Sequence, residues 1–464
     1  MDTEAPAGVG DALVTDREIH RQVWHLAWPS VTAMLLQSFN SLMDTFFVGH
    51  LPEGAQALAA TGVGGGVVFL LVSLAMGVTV GTTALVARFT GAQDPAQAAR
   101  ATGQSLSLAA LLALLCGVPA YCWREQIVSL LLDPGRNPQA SRLCVAFLGA
   151  ALLATLPLFV WNVLQAAFRG VGDARTPMRV TGAAISVHVI GDWLLIYGHW
   201  GLPRMGVVGA GVALALSWCV GMFLFGVAAW RHVVLREAFR WRHWRPDVAW
   251  YGRILRIGVP ASVQALVRTV SMMLFTGMLA RTVEGAAAVA ALQIGIRAEG
   301  IAFMPGFGYG IAASALVGQA LGARDADRAE RAAQAAMWQA LCVMCLMATL
   351  FFAGAWPIAR AFSADPQVIG LGVAYLRINA LCEPFLAPGM VLTSALQGAG
   401  ETVKPTLITV VTMVFLRLPL ASLLMFTWNL QAVGAWWAMT VTTVAGGLMT
   451  LGLFRTGQWK RVRV

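Results

Sequence analysis

Apolar runs of about 20 residues or more, long enough to cross a bilayer as helices, recur along the whole chain. Short polar turns separate them, and the alternation of apolar and polar residues that a membrane β-barrel needs is not found in the sequence. The first twenty or so residues are polar, so we expect no cleaved signal peptide. The pattern predicts twelve helices, near residues 24–49, 57–86, 99–122, 143–168, 178–197, 206–230, 254–280, 287–317, 332–355, 369–397, 406–427 and 432–454.

Composition supports an all-α polytopic membrane protein. Hydrophobic residues make up 58% of the 464 residues and charged residues only 12%, about half the charged share of a soluble protein. The net charge of +10 is scattered through short loops, so we expect no nucleic-acid partner. The seven cysteines lie in or beside apolar runs, which favours packing over metal or redox chemistry.

The basic residues predict which side of the membrane each loop occupies. Of the 32 Lys and Arg residues, twenty-two fall in the tails and loops on the side of the N-terminus or at the adjoining ends of the spans, and six in the loops on the other side. Because basic loops stay inside, we expect both termini in the cytosol of a bacterial inner membrane. The Trp- and Arg-rich segment 230–256 suits contact with membrane lipids at the headgroup level.

The second half of the sequence repeats the first. Residues 29–92 align without gaps on residues 260–323, and residues 170–177 align on residues 398–405. Each half holds six predicted spans, so we expect parallel repeats related by an axis along the membrane normal. The predicted organisation is a cytosolic tail (1–22), an N-lobe (23–230), a cytosolic linker (231–253), a C-lobe (254–455) and a cytosolic tail (456–464).

Motifs for catalysis are not found. The glycine-rich pieces lie within predicted spans, where they suit close helix packing, and there is no Walker lysine, HExxH or GxSxG motif. We therefore expect neither an enzyme nor a bound cofactor. The internal repeat favours a transporter, although channels and membrane enzymes can also be duplicated.

The residues most costly to place in lipid are the candidate functional residues. A carboxylate at the centre of a membrane helix costs about 2.5 kcal/mol or more, so it should face a cavity or a partner. The first predicted helix carries a stripe of polar residues along one face. Pro29 precedes this stripe, and we expect it to act as a hinge. His188 and Asp192 are four residues apart and share a face of the fifth helix. The stripe consists of Gln37, Asn40, Ser41 and Asp44.

The two halves differ in their intramembrane charges. Away from their first two residues, the spans of the first half contain no Lys or Arg, so Asp44 and Asp192, with His188, are expected to hold a proton or to attract a cation. The spans of the second half contain both acidic and basic residues, and the acids are expected to pair with arginines from other helices. This C-lobe charged network comprises Arg268, Arg297, Glu299, Arg377 and Glu383.

Several of these segments resemble the multidrug and toxic compound extrusion (MATE) family. The resemblance covers about residues 20–455 and rests on Pro29, on Gln37 to Gly49 (QSFNSLMDTFFVG), on Phe303 to Gly308 (FMPGFG), on Leu316 to Ala323 (LVGQALGA) and on Gln397 to Glu401 (QGAGE). It implies a twelve-helix, two-lobe, V-shaped transporter that exports organic cations in exchange for H⁺ or Na⁺.

The resemblance also implies roles for single residues. Asp44 matches the family's first-helix aspartate, Gln37 a polar residue two turns earlier, and Asp192 the fifth-helix aspartate of one prokaryotic branch. His188 stands where that branch usually has asparagine, and Leu214 stands where it has threonine. Another branch has an acid where Arg268 aligns. These differences favour H⁺ over a Na⁺ ion at Asp44 and Asp192.

Three alternatives to a cation exporter stay open from the sequence. A lipid-linked saccharide flippase of the same superfamily would use intramembrane arginines to hold diphosphate. A membrane-embedded enzyme and a passive channel belong to other classes of protein. The sequence names no drug, and the working expectation for the oligomeric state is a monomer.

Overall fold

The computed structural model describes residues 15–462, without the side chains of residues 301 and 302, and no β-strand occurs in this range. Most of the expected N-terminal tail lies outside the described residues, and Asp16–Gln22 already belong to the first helix. The helices are α1 (Asp16–Gly49), α2 (Gly54–Gly91), α3 (Pro95–Cys122), α4 (Arg124–Leu131), α5 (Pro138–Ala151), α6 (Thr155–Gly170), α7 (Arg175–Tyr197), α8 (Val207–Arg231), α9 (Val248–Leu279), α10 (Gly285–Gly322), α11 (Ala326–Phe362), α12 (Pro366–Ala380), α13 (Glu383–Gly398), α14 (Val403–Val410), α15 (Arg417–Ser422) and α16 (Gln431–Arg455).

The number of membrane spans comes close to the expected twelve without reproducing it. Within residues 15–462, nine helical segments are long and apolar enough to cross a membrane, and two bent helix pairs raise the number to eleven. Helix α1 is long enough but is not among them. Its polar stripe and its charged first turn lower its hydropathy.

Several predicted spans are bent or interrupted. α10 bends by 47° between Gly300 and Phe303, and α12 meets α13 at 59°. Pro305 explains the first bend, since a proline ring clashes with the carbonyl group four residues before it. Between α14 and α16, the turns Val411–Leu416 and Leu423–Thr427 are π-helical.

The outer surface of the bundle is apolar. Large side chains such as Leu115, Leu153, Phe223 and Phe415 are exposed on it. A surface of this kind is unfavourable in water and is expected of helices that face lipid.

The two halves keep their sequence symmetry in their packing. Gly77 of α2 lies against the backbone of Gly258 in α9, and Gly308 of α10 lies against the backbone of Ala27 in α1. Adding 231 converts Gly77 into Gly308 and Ala27 into Gly258. The same contact therefore occurs twice, as the predicted parallel repeats require.

Each half also inserts the beginning of its first helix into the core of the other half. Ile19 and Val23 of α1 are buried among residues of α10, α11 and α13. Their equivalents in α9, Trp250 and Ile254, are buried among residues of α2, α3 and α6. The halves are thus joined at the end of the bundle where α1 and α9 begin.

The segment between the halves folds onto α3. The Gln104 side-chain amide donates hydrogen bonds to the backbone oxygens of His243 (2.9 Å) and Arg245 (2.8 Å). Its oxygen accepts a hydrogen bond from the backbone N–H of Asp247 at 3.2 Å. Arg100 forms a 3.0 Å ion pair with Asp247. These contacts fix the start of α9 against the first half.

Candidate functional site

Two acids and one histidine of the first half meet between α1 and α7. His188 Nε2 lies 3.7 Å from Asp44 Oδ1 and 3.8 Å from Asp192 Oδ2. One ligand atom from each of the three side chains lies within 4.8 Å of the others. Helix periodicity explains why His188 and Asp192 lie together, because they are one turn apart on α7. The packing of α1 against α7 adds Asp44.

Asn40 fixes the imidazole ring of His188. Its side-chain amide lies 2.9–3.0 Å from His188 Nδ1, through either the nitrogen or the oxygen of the amide. A hydrogen bond at one ring nitrogen fixes the ring and leaves the other for a second partner. Nε2 is therefore the nitrogen directed at the two acids.

The two acids differ in their access to solvent. Asp192 is fully buried, whereas 38% of the Asp44 side chain is exposed. No Lys or Arg between residues 15 and 462 forms an ion pair with either acid. Neither carboxylate oxygen of Asp192 has a hydrogen-bond partner in this range, and a carboxylate oxygen of Asp192 lies within 4.8 Å of one of Asp44. Two adjacent carboxylates favour a shared proton or a bound cation.

The remaining members of the polar stripe lie on the same helix with fewer contacts. The side chains of Gln37 and Ser41 are exposed and make no hydrogen bond within the described part of the chain. Pro29 is buried inside α1, which continues through it as one helix. The hydroxyl groups of Ser30 and Thr32 donate to the backbone oxygens of Leu26 and Trp28. The structure thus shows an uninterrupted helix at the expected hinge.

The expected ion pairs of the second half are not formed among residues 15–462. Glu299 is buried and accepts a 2.9 Å hydrogen bond from the Tyr375 hydroxyl group. Glu383 is also buried, and its Oε2 has no partner in the described chain. The guanidinium group near Glu299 belongs to Arg417, which donates hydrogen bonds to Thr442 and Thr443.

The other three arginines lie away from these acids. Arg377 packs over the Phe352 ring at 5.8 Å, and Arg297 is exposed on α10. Arg268 lines a cavity between α2, α9 and α10. The expected Arg–Glu pairs are thus not formed between residues 15 and 462: Glu299 is bonded to Tyr375 with Arg417 nearby, and Glu383 forms no ion pair.

Tyr375 was not predicted to be functional, although the internal repeat contains the signal that points to it. Glu299 and Tyr375 correspond to Val68 and Phe147 of the first half, at offsets of 231 and 228. An acid and a hydroxyl group thus occur together where the first copy has two apolar residues. A residue-by-residue comparison of the halves for such paired changes predicts their contact.

Parallel helical repeats with acids inside the membrane spans are typical of multi-pass membrane transporters. The family model named MatE matches residues 29–194 and 260–423, more than half of the chain. The chain belongs to this family, as the sequence motifs predicted.

Curated relatives match the chain over almost its whole length. It is 28% identical over 448 residues to the probable multidrug resistance protein NorM of Thermotoga maritima, covering 96% of this chain and 94% of that protein. It is 29% identical over 453 residues to the probable multidrug resistance protein NorM of Pseudomonas aeruginosa, covering 96% and 90% of the two chains.

Solved structures share the fold. A MOP superfamily transporter from Pyrococcus furiosus, described as having a binding pocket of reverse polarity, superposes with a TM-score of 0.86 at 24% identity, covering 96% of this chain and 97% of that one. An outward-facing multidrug resistance MATE family transporter gives a TM-score of 0.85 at 24% identity and the same coverage. These similarities confirm the all-helical transporter fold.

Proposed function

We propose that this protein exports organic cations of several kinds from a bacterial cell in exchange for protons. The names of the NorM relatives support multidrug export. The excess of basic residues in the loops on the side of the N-terminus supports an inner-membrane location with both termini in the cytosol. The observation that carries the proposal is the contact of half-exposed Asp44 with buried Asp192 through His188.

Exchange requires that the proton and the cation compete for one site. A transported cation is attracted to an ionised acid, and a proton that neutralises this acid removes the attraction. Asp44 is suited to meet the cation because its side chain is partly exposed. Asp192 and His188 are suited to hold the proton because they are buried beside Asp44.

The proposed cycle follows from this competition. With the site open to the outside, a proton enters at Asp44, is shared with Asp192 and His188, and releases the cation. With the site open to the cytosol, the proton leaves and a new cation binds. The Pro29 region of α1 lacks one backbone hydrogen bond, so it is the point where this helix changes shape most readily.

A proton suits this cluster better than Na⁺. Sodium is held by several oxygen atoms, whereas His188 supplies a nitrogen that can itself take up a proton. Leu214 of α8 stands where one branch of the family has a threonine, and its side chain has no oxygen to offer a sodium ion.

The test is efflux of a fluorescent organic cation from proteoliposomes, driven separately by a pH gradient and by a Na⁺ gradient. Asp44→Asn mimics the protonated acid, so it should insert normally and lose uphill efflux under the pH gradient. Asp133→Asn, an exposed acid with its own partner Arg136, is the control and should behave as wild type. Full pH-driven efflux by Asp44→Asn would exclude Asp44 as the coupling residue, and efflux driven only by Na⁺ would exclude proton exchange.

A further inference from the structure

A second charged position lies in the cavity between α2, α9 and α10. The cavity has a volume of about 370 Å³ and combines Arg268 with the apolar side chains of Phe69, Met272 and Met273. Thr276 and Gln293 add neutral hydrogen-bonding groups, and no acidic side chain contributes to the lining. The cavity is therefore apolar and positively charged.

Arg268 has no partner of its own. It forms neither an ion pair nor a hydrogen bond with any residue in the range 15–462. It lies well inside α9, eleven residues before its last residue, Leu279. A guanidinium group within a membrane helix is costly unless it faces water or a partner. Arg268 thus has unused capacity to bind an anion.

The repeat relates this cavity to the polar face of α1. Arg268, Met272 and Thr276 correspond to Gln37, Ser41 and Thr45 at the offset of 231. Phe69, from the first half, also lines the cavity, so it lies at the boundary between the halves. The cavity-lining face of α9 is therefore the equivalent, by the repeat, of the polar face of α1. One face carries an acid and the other an arginine.

We propose that Arg268 binds the anionic group of a transported amphiphile, so that molecules carrying a carboxylate as well as a cationic centre are preferred substrates. This inference rests on the proposed export function. A guanidinium group donates two parallel hydrogen bonds to a carboxylate, a geometry that a simple apolar pocket cannot offer. Flexible methionines and an aromatic ring adapt to varied apolar bodies.

The phosphate group of an anionic lipid offers the same chemistry to Arg268 as a substrate carboxylate does. The two sources differ in their consequences. A substrate site changes the selectivity between soluble ligands, whereas a lipid site makes all transport depend on the lipid composition.

The experiment compares a zwitterionic rhodamine carboxylate with its methyl ester, which is a simple cation with the same ring system. Uptake of each dye is measured in proteoliposomes of phosphatidylcholine and phosphatidylethanolamine, with and without phosphatidylglycerol. The proteins are wild type, Arg268→Gln, Arg268→Lys and Arg377→Gln. The last variant removes another arginine of a membrane helix that lies outside the cavity.

We expect Arg268→Gln to raise the KM for the carboxylate dye by about tenfold, the effect of losing one hydrogen bond to a charged group. Its KM for the ester should stay unchanged, Arg268→Lys should lie in between, and Arg377→Gln should behave as wild type. Equal effects on both dyes, or a response to phosphatidylglycerol without a change of selectivity, would overturn the inference.

Two further results keep the inference separate from the proposed function. If Arg268→Gln does not fold, wild-type protein must still take up the carboxylate with a lower KM than the ester, and the reverse preference overturns the inference. If wild-type protein shows no preference for the carboxylate while its pH-driven transport of the ester is intact, the result contradicts the role of Arg268 alone. Failure of wild-type protein to transport the ester under any gradient contradicts the export function itself.

Discussion

The Tyr375 hydroxyl group donates a 2.9 Å hydrogen bond to Glu299 Oε2 at a site where both residues are buried. The Tyr375 ring lies against Gly295, just as the Phe147 ring of the first half lies against Gly64. The packing of the two copies is the same, and the second copy has replaced an apolar pair by a phenol and a carboxyl group. The pair is therefore a specific feature of the second half.

The first prediction concerns the stability of this pair. Tyr375→Phe leaves a buried carboxyl group without its donor and should lower the free energy of unfolding by about 1–3 kcal/mol. The double variant Tyr375→Phe with Glu299→Val recreates the Phe147–Val68 arrangement and should recover much of this loss. Thermal unfolding of the detergent-solubilised variants measures both effects.

The control for this cycle is Tyr309→Phe. Tyr309 is buried, and its hydroxyl group makes no hydrogen bond within residues 15–462. The variant should unfold close to the wild-type temperature. An additive double variant, with no recovery, would show that Tyr375 and Glu299 do not depend on each other.

The second prediction concerns Asn40, which positions His188 rather than meeting the substrate. Asn40→Val removes the hydrogen bond at Nδ1 and lets the ring turn away from the two acids. Proton-driven efflux should fall about fivefold, the effect of roughly 1 kcal/mol, and its dependence on pH should shift. Thr45→Val, whose hydroxyl group contacts only the Ser41 carbonyl, should leave both unchanged. An unshifted pH profile in Asn40→Val would mean that His188 takes no part in proton binding.

Part of this site could be predicted from the sequence because helix periodicity and charge are local properties. The spacing of Asn40 and Asp44 places them on one face of α1, and that of His188 and Asp192 does the same for α7. The internal repeat predicted two parallel repeats, and the equivalent contacts of Gly77 and Gly308 agree with that organisation.

The charged residues of the second half could not be predicted in the same way. Charge balance within the second half favoured Arg–Glu pairs, but a count of charges does not contain which side chains the packed helices bring together. Tyr375 became visible only by comparison with the first half, where Val68 and Phe147 occupy the equivalent positions. The partner of Glu299 is this phenol, and Arg417 instead donates hydrogen bonds to Thr442 and Thr443.

The third prediction concerns orientation. Reporter fusions at residue 10, within residues 235–250 and at the C-terminus should all report the cytosol, because the loops on that side carry most of the basic residues. A fusion within residues 133–137, between α4 and α5, is the control and should report the outside. A periplasmic signal from residues 235–250 would contradict six spans in each half.

The last prediction concerns the close approach of the halves at the ends of α2 and α10. A Cβ atom added at Gly91 would meet the carbonyl group of Gln319, and one added at Gly322 would meet the carbonyl group of Arg88. These two contacts are equivalent under the offset of 231, so either side chain should force the same ends apart. Gly91→Val and Gly322→Val should each destabilise this conformation by about 1–3 kcal/mol, the usual cost of overpacking.

Gly66→Ala, in open space on α2, is the control and should have no such effect. If transport alternates between conformations closed at opposite ends, both valine variants should lower efflux and raise the reactivity of a cysteine placed at residue 319 or 88. Normal stability and efflux in both would show that this end does not need to close.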